Sequence, residues 1–221
     1  MRWTLKPKPV TDKVDALQKA LQVDSAIATM LVQRGIETYE EAKTFFRPRL
    51  EDLHDPFLMK DMDKAVARIE KAIANKESIL VYGDYDVDGT TSVALMSSYL
   101  KTKHNLVYTY IPNRYDEGYG ISYKGINFAL ENGFSLIIAL DCGIKAIEKV
   151  ADAKKTGIDF IICDHHRPGD KIPEAAAVLD PKREDCEYPF KELCGCGVGF
   201  KLVQALASKE GKTANDLSLY L

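Results

Sequence analysis

Residues 79–91 read ILVYGDYDVDGTT. An apolar run of strand length ends in three aspartates, Asp84, Asp86 and Asp88, followed by Gly89 and two threonines. The apolar part does not alternate with polar residues, which predicts a strand buried on both faces, as in a parallel sheet covered by helices. The surrounding sequence repeats the pattern. Further strand-length runs occupy 106–112, 135–141, 158–163 and 176–180, and helical patterns occupy roughly 90–103, 122–132, 144–156 and 198–208. The expected fold class is therefore α/β, a doubly wound, mainly parallel five-stranded sheet. In such sheets ligands bind beyond the carboxyl ends of the strands. The residues just past each strand are accordingly informative: GDYDVDG after the first, IPNRYDEGYG after the second, Asp141-Cys142-Gly143 after the third, Asp164-His165-His166 after the fourth.

A small helical segment precedes the sheet. Ala16, Leu17, Ala20 and Leu21 form one apolar stripe and Ile27, Met30 and Leu31 another. Thr38 with Glu41 three residues later is a capping-box pattern. A linker with two prolines, 47–57, leads into an amphipathic helix whose face is Met62, Ala65, Val66, Ile69 and Ile73. The expected division is a helical N-terminal segment and linker over 1–57 and an α/β domain over 58–221.

Composition narrows the function classes. Hydrophobic residues make up 46% and charged residues 29% of 221, an ordinary globular balance. With 30 Lys plus Arg against 33 Asp plus Glu, any nucleic-acid contact must come from local patches. No window approaches the apolar length of a membrane span, and residues 1–10 lack the apolar core of a signal peptide. Five cysteines at irregular spacing argue against a disulfide framework and for a reducing, cytoplasmic setting. Cys194-Gly195-Cys196 has no companion pair with zinc-ligand spacing, so small buried side chains are expected there.

Carboxylates converging on one sheet edge repel strongly, and a divalent cation removes that repulsion. Asp86 and Asp88, two apart in an extended or turn segment, can point the same way, and Asp141 joins from another strand end. His165 adds an imidazole; this mixed donor set suits manganese, magnesium or zinc. A carboxylate such as Asp141 can bridge two ions, and ions about 3.5–4 Å apart are the usual device for phosphoester hydrolysis. Asp164 would fix a neighbouring ring, and His166, pointing elsewhere, would contact a phosphate or protonate a leaving group. Gly89 and the threonines open a helix whose free amides favour an anion. Asp84 either supports the cluster or caps the turn. Asn113 and Arg114 form a surface turn or a phosphate contact. Gly118 and Gly120, flanking Tyr119, serve a tight turn or close approach by a polynucleotide backbone. Arg167, Lys182 and Arg183 line an anionic groove or are solvated charges. Gly195, Gly197 and Gly199 are a helix entry or a second phosphate cradle.

These motifs together resemble the DHH phosphoesterase superfamily. GDYDVDGTT (83–91), IPNRYDEGYG (111–120), DCGI (141–144), DHH (164–166) and YPFKELCGCGVGFKL (188–202) resemble, within it, the RecJ family of single-stranded-DNA-specific exonucleases. Arg2-Trp3 and the run 46–56 fit that family's opening. The resemblance implies a DHH-type fold and a manganese- or magnesium-dependent, two-metal nuclease digesting single-stranded DNA from the 5′ end in recombination and repair. It implies Asp86, Asp88, Asp141 and His165 as metal ligands, and His166 at the scissile phosphate with Asp84 and Asp164 as supporting catalytic groups. Asn113, Arg114, Gly118, Tyr119, Gly120 and Arg167 would lie along the substrate. Single-strand-binding-protein or helicase partners come with the resemblance, as do polarity and the preference for DNA. It also implies a further metal-binding aspartate soon after residue 221, then a second domain and an oligonucleotide-binding domain. The chain, ending in NDLSLYL, thus reads as a catalytic N-terminal portion, truncated at its C-terminal end and one carboxylate short. Two rival readings are a DHH phosphoesterase acting on oligoribonucleotides, cyclic dinucleotides or pyrophosphate, and a non-hydrolytic metal- or phosphate-binding module.

Overall fold

The computed structural model describes residues 4–220, so Arg2 and Trp3 lie outside the described residues. The chain divides between Leu53 and His54 into two compact units. The first holds α1 (Thr11–Leu21), α2 (Ser25–Val32) and α3 (Tyr39–Phe46). Its small core is Val14, Leu17, Ala28, Leu31 and Val32. This corrects the expected stripes: Ala16 and Ala20 are exposed because Val14 and Leu17 take the inward face of α1, and Ile27 and Met30 are exposed because Ala28, Leu31 and Val32 take that of α2. The capping box at α3 is present, with Glu41 N donating to Thr38 Oγ1 at 3.2 Å and Thr38 N donating to Glu41 Oε2 at 3.0 Å.

The second unit opens with α4 (Met62–Ala74), which buries Met62, Ala65, Val66, Ile69 and Ala72. It continues through β1 (Ile79–Gly83), α5 (Val87–Lys101), β2 (Val107–Tyr110), α6 (Tyr123–Glu131) and β3 (Leu136–Leu140). The remaining elements are α7 (Ile147–Lys155), β4 (Asp159–Cys163), β5 (Ala177–Leu179) and α8 (Gly195–Ser208). The five strands are ordered β2-β1-β3-β4-β5, and every pairing is parallel.

Both faces are covered, as the unbroken apolar strands require. Ile79, Val81, Leu136, Ile138, Leu140 and Ile161 pack with residues of α4, α5 and α8; Leu80, Tyr82, Ile137, Ala139 and Ile162 pack with residues of α6 and α7. Each fully buried Val, Leu or Ile among them contributes about 1.5–3 kcal/mol. Lys201 of α8 is the exception in this core. Its Nζ donates to His54 O and to Gln204 Oε1, both at 2.8 Å, and burial pulls its pKa down to about 8. Among the described residues no helix is long and apolar enough to cross a membrane.

The chain leaves β1 for β2 on one side and crosses back to β3 on the other, so the topological switch point lies between β1 and β3. Asp84 follows β1 and Asp141 follows β3 at that crevice.

Candidate active site

The first acidic segment is built around a helix start. α5 begins at Val87, three residues earlier than its periodicity suggested, because Asp86 caps it: Asp86 Oδ1 accepts from Gly89 N at 2.9 Å. The pair is therefore not an extended segment with two parallel carboxylates. Asp86 is exposed at the cap, and Asp88 lies in the first helical turn, where the helix dipole favours a negative charge. Only glycine fits at 89, since a β-carbon there would collide with the backbone of Asp84.

Asp88 turns toward α8. Its two oxygens accept from Gly195 N and Cys196 N, each at 2.7 Å. Of the two readings of Gly195–Gly199, the helix entry is present, since α8 starts at Gly195; the amides a phosphate cradle would use are partly spent on Asp88, and Gly197 N donates to Cys194 Sγ. Cys194 is the N-cap of α8 and is exposed, not the buried filler expected. Asp88→Ala should lower stability by about 1–3 kcal/mol, because two amides at a packed helix end lose their acceptor. Urea unfolding in the presence of chelator measures this; an unchanged midpoint would mean that α8 does not depend on the clamp.

Asp141 is the most constrained group of the site. It is 2% exposed and sits in the left-handed region at φ 59°, a conformation costing on the order of 1–3 kcal/mol that persists only where surroundings enforce it. α8 approaches so closely that a β-carbon at Gly195 would come within 2.6 Å of Asp141 Oδ1. His165 Nε2 lies 3.1 Å from that oxygen, and 3.6 Å from Asp88 Oδ2, without the alignment of a hydrogen bond, so Asp141 Oδ1 is buried with no partner. Burial, reinforced by Asp88 and Asp86, pushes the Asp141 carboxyl up to about 8. Asp84 is also fully buried. One oxygen takes a long 3.4 Å bond from Gly120 N and the other has no partner; burial, with Asp86 nearby, raises its pKa.

Asp164 is satisfied where Asp141 is not. Its Oδ1 accepts from His165 N at 2.7 Å and His166 N at 3.1 Å, and its Oδ2 from Ile144 N at 2.9 Å. The same Oδ1 lies 2.7 Å from His166 Nδ1. Burial alone would raise this carboxyl, but these donors outweigh it and hold it below its ordinary value. The ring that Asp164 fixes is thus His166. That bond raises the His166 pKa, and His166 Nε2 faces the Tyr119 hydroxyl at 3.1 Å.

The loop after β2 forms the outer wall. Tyr82 props it from below, its hydroxyl donating to Gly120 O and accepting from Ser122 N. Gly118 and Gly120 both have positive φ, which the turn requires, and face open space where a β-carbon would stand. Asn113 Oδ1 is used inside the turn, accepting from Tyr115 N and Asp116 N. Arg114 sits with its guanidinium carbon 4.9 Å from the Tyr85 ring centroid. Sequence reasoning missed Tyr85 and Tyr115, the latter 93% exposed at the loop tip; aromatic residues interleaved with acidic and basic ones were the available signal.

Other expected contacts lie elsewhere. Arg167 and Lys182 border a separate open cleft of about 790 Å³ with Asp170, Glu184 and Asp185. Lys182 pairs with Glu192. Arg183 borders the same cleft, but its largely buried guanidinium is committed to internal acceptors, Val178 O, Asp61 and Asp185.

Asp141, His165 and His166 each offer a ligand atom within 4.8 Å of one another. Orphaned buried oxygens on Asp84 and Asp141, beside an unaligned imidazole, are what a divalent cation would satisfy. The donors are hard carboxylates and borderline imidazole, which fits manganese or magnesium.

Residues 78–220, which carry this sheet and the acidic and imidazole cluster at its switch point, match a family model described as DHH family, N-terminal domain, and the chain belongs to that family. Its relatives point more narrowly. It is 45% identical over 99% of its length to the single-stranded-DNA-specific exonuclease RecJ of Bacillus subtilis, of which it spans 28%. The structure of RecJ from Thermus thermophilus in complex with Mn2+ superposes with a TM-score of 0.73 at 28% identity, over 95% of this chain and 29% of that one. A structure of exonuclease RecJ bound to manganese superposes with a TM-score of 0.63 at 33% identity, over 69% and 39%.

Proposed function

We propose that the chain is the catalytic portion of a metal-dependent nuclease that hydrolyses single-stranded DNA from its 5′ end. The observation that carries this reading is the buried, unpartnered Asp141 Oδ1 at the switch point, 3.1 Å from His165 Nε2. Similarity to exonucleases that the chain spans by about a third or less supports the choice of substrate. In this reading Asp86, Asp88, Asp141 and His165 hold manganese or magnesium. When bound, the ions supply Lewis-acid activation of water and of the phosphodiester.

The chain's own residues do the rest. Asp164 accepts from His166 Nδ1, so His166 presents Nε2 to the substrate side, where it contacts the phosphate or delivers a proton to the leaving oxygen. The Tyr119 hydroxyl holds that nitrogen until substrate replaces it. Arg114 meets a backbone phosphate, while Asn113, Gly118 and Gly120 shape the loop that carries it. Residues 1–57 act as a helical segment and linker, and 58–221 as the hydrolytic domain. Five free cysteines fit a reducing cytoplasm. Work in recombination and repair, beside single-strand-binding or helicase partners, belongs to the same proposal.

The test is digestion of a long 5′-labelled single-stranded DNA with manganese. Labelled mononucleotide should be released by the parent and not by Asp141→Ala. Hydrolysis of dinucleotides or pyrophosphate but not of long DNA would replace this reading with another phosphoesterase activity. Manganese binding without any hydrolysis would make the chain a binding module.

A further inference from the structure

Tyr85 stands between two aspartates of the cluster, and both neighbours fix its backbone. Asp84 is fully buried at the end of β1, and Asp86 caps α5. The ring therefore projects from a rigid base. On its face lies the Arg114 guanidinium, 4.9 Å from the centroid; the Tyr119 ring meets it edge-on at 6.4 Å. Tyr119 in turn holds His166, hydroxyl to Nε2 at 3.1 Å. An unbroken line of contacts thus runs from Arg114 through Tyr85 and Tyr119 to His166.

The choice of a ring as the partner of Arg114 has a consequence. A carboxylate would occupy the N–H edge of the guanidinium, whereas an aromatic face attracts the cation and leaves its donors free for two phosphate oxygens. Glu117 of the same loop is already engaged by Asn113 N, the Tyr110 hydroxyl and the Ser122 hydroxyl.

We propose that Tyr85 is a positioning residue that holds the Arg114 guanidinium at the mouth of the site, its donors open for a phosphate of a single-stranded polynucleotide. The inference rests on the nuclease reading above. Tyr85 itself touches no reacting atom; it acts through Arg114.

The test is a double-mutant cycle on the full chain. Binding of a short 5′-phosphorylated, 3′-fluorescein-labelled oligothymidylate is followed by anisotropy, with calcium in place of manganese. Loss of a partly desolvated cation–ring contact should weaken binding by Tyr85→Leu about tenfold, with Tyr85→Phe restoring it to within about twofold. Arg114→Ala should weaken binding by a similar factor, and adding Tyr85→Leu to it should change little further. Effects of the two substitutions that simply multiply would overturn the positioning role, as would a Tyr85→Phe variant as weak as Tyr85→Leu. A parent chain that does not bind the oligonucleotide at all would instead remove the nuclease reading, and this inference with it.

Discussion

With divalent metal removed by chelation, Asp141→Asn should unfold at a higher temperature than the parent, and the gap should widen with pH. The Asp141 carboxyl is buried, has an oxygen without a partner, and faces Asp88 and Asp86. Its folded pKa is about 8 against an ordinary value of 3.8, so between these values the folded chain holds a proton that the unfolded chain has released. Stability of the metal-free parent therefore falls as pH rises through that window, and asparagine abolishes the fall. Above pH 8 the variant should be the more stable by on the order of 2–4 kcal/mol, allowing for relaxation of the neighbouring carboxylates. Manganese should reverse the ranking. At a thousandfold excess over Kd it stabilises the parent by about 4.1 kcal/mol, enough to offset the whole gap, whereas the variant lacks the carboxylate that would bind it. Thermal melts across pH, with and without manganese, decide the matter. A variant less stable than the parent above pH 8 in chelator, or stabilised equally by manganese, would remove Asp141 from the proposed metal centre.

The second large effect concerns Asp164, and it has the opposite sign. Asp164→Ala should cost about 3–5 kcal/mol with or without metal, as removing one member of a buried charged network does. Three amide donors, on Ile144, His165 and His166, lose their acceptor together, and the His166 ring loses its anchor. Asparagine should recover part of this loss. Its carbonyl oxygen can replace Oδ1 toward the two histidines, but its amide group then meets the Ile144 N–H, donor against donor. Urea unfolding measures the stability. On the nuclease reading, hydrolysis by the asparagine variant should fall much further than its fold does, because an amide stabilises a charged His166 less well than a carboxylate. A variant with Asp164→Ala that unfolds at the parent's midpoint would show that these donors are hydrated instead.

Asp141 and Asp164 mark how far reading along the chain can go. Each follows an apolar run that could only be an inner strand, so their place at the carboxyl edge of a parallel sheet was legible from strand length and the lack of alternation. Their opposite electrostatic states were not, because these depend on which amides point at each carboxylate. Asp164 receives its donors partly from Ile144, which follows a different strand. Asp141 receives none at Oδ1 because α8 packs against it through a glycine. Asp88 repeats the lesson. Its spacing from Asp86 suggested two parallel ligands, yet the N-cap at Asp86 starts a helix and turns Asp88 onto the amides of α8, more than a hundred residues away in the chain.

By itself, then, the sequence determined the order of strands and helices, the parallel sheet, and the gathering of acidic and imidazole side chains at one edge. These come from local hydrophobic period and from the rule that parallel strands end at a common face. Tertiary structure alone decided which carboxylates are satisfied and which remain open to a cation, that Asp164 orients His166, that Arg183 is an internal tie, and that Arg114 rests on Tyr85. The Asp164–His166 contact spans only two residues, but its geometry, like the longer-range contacts of Arg183 with Asp61 and of Arg114 with Tyr85, is set by the direction and distance at which packed elements meet.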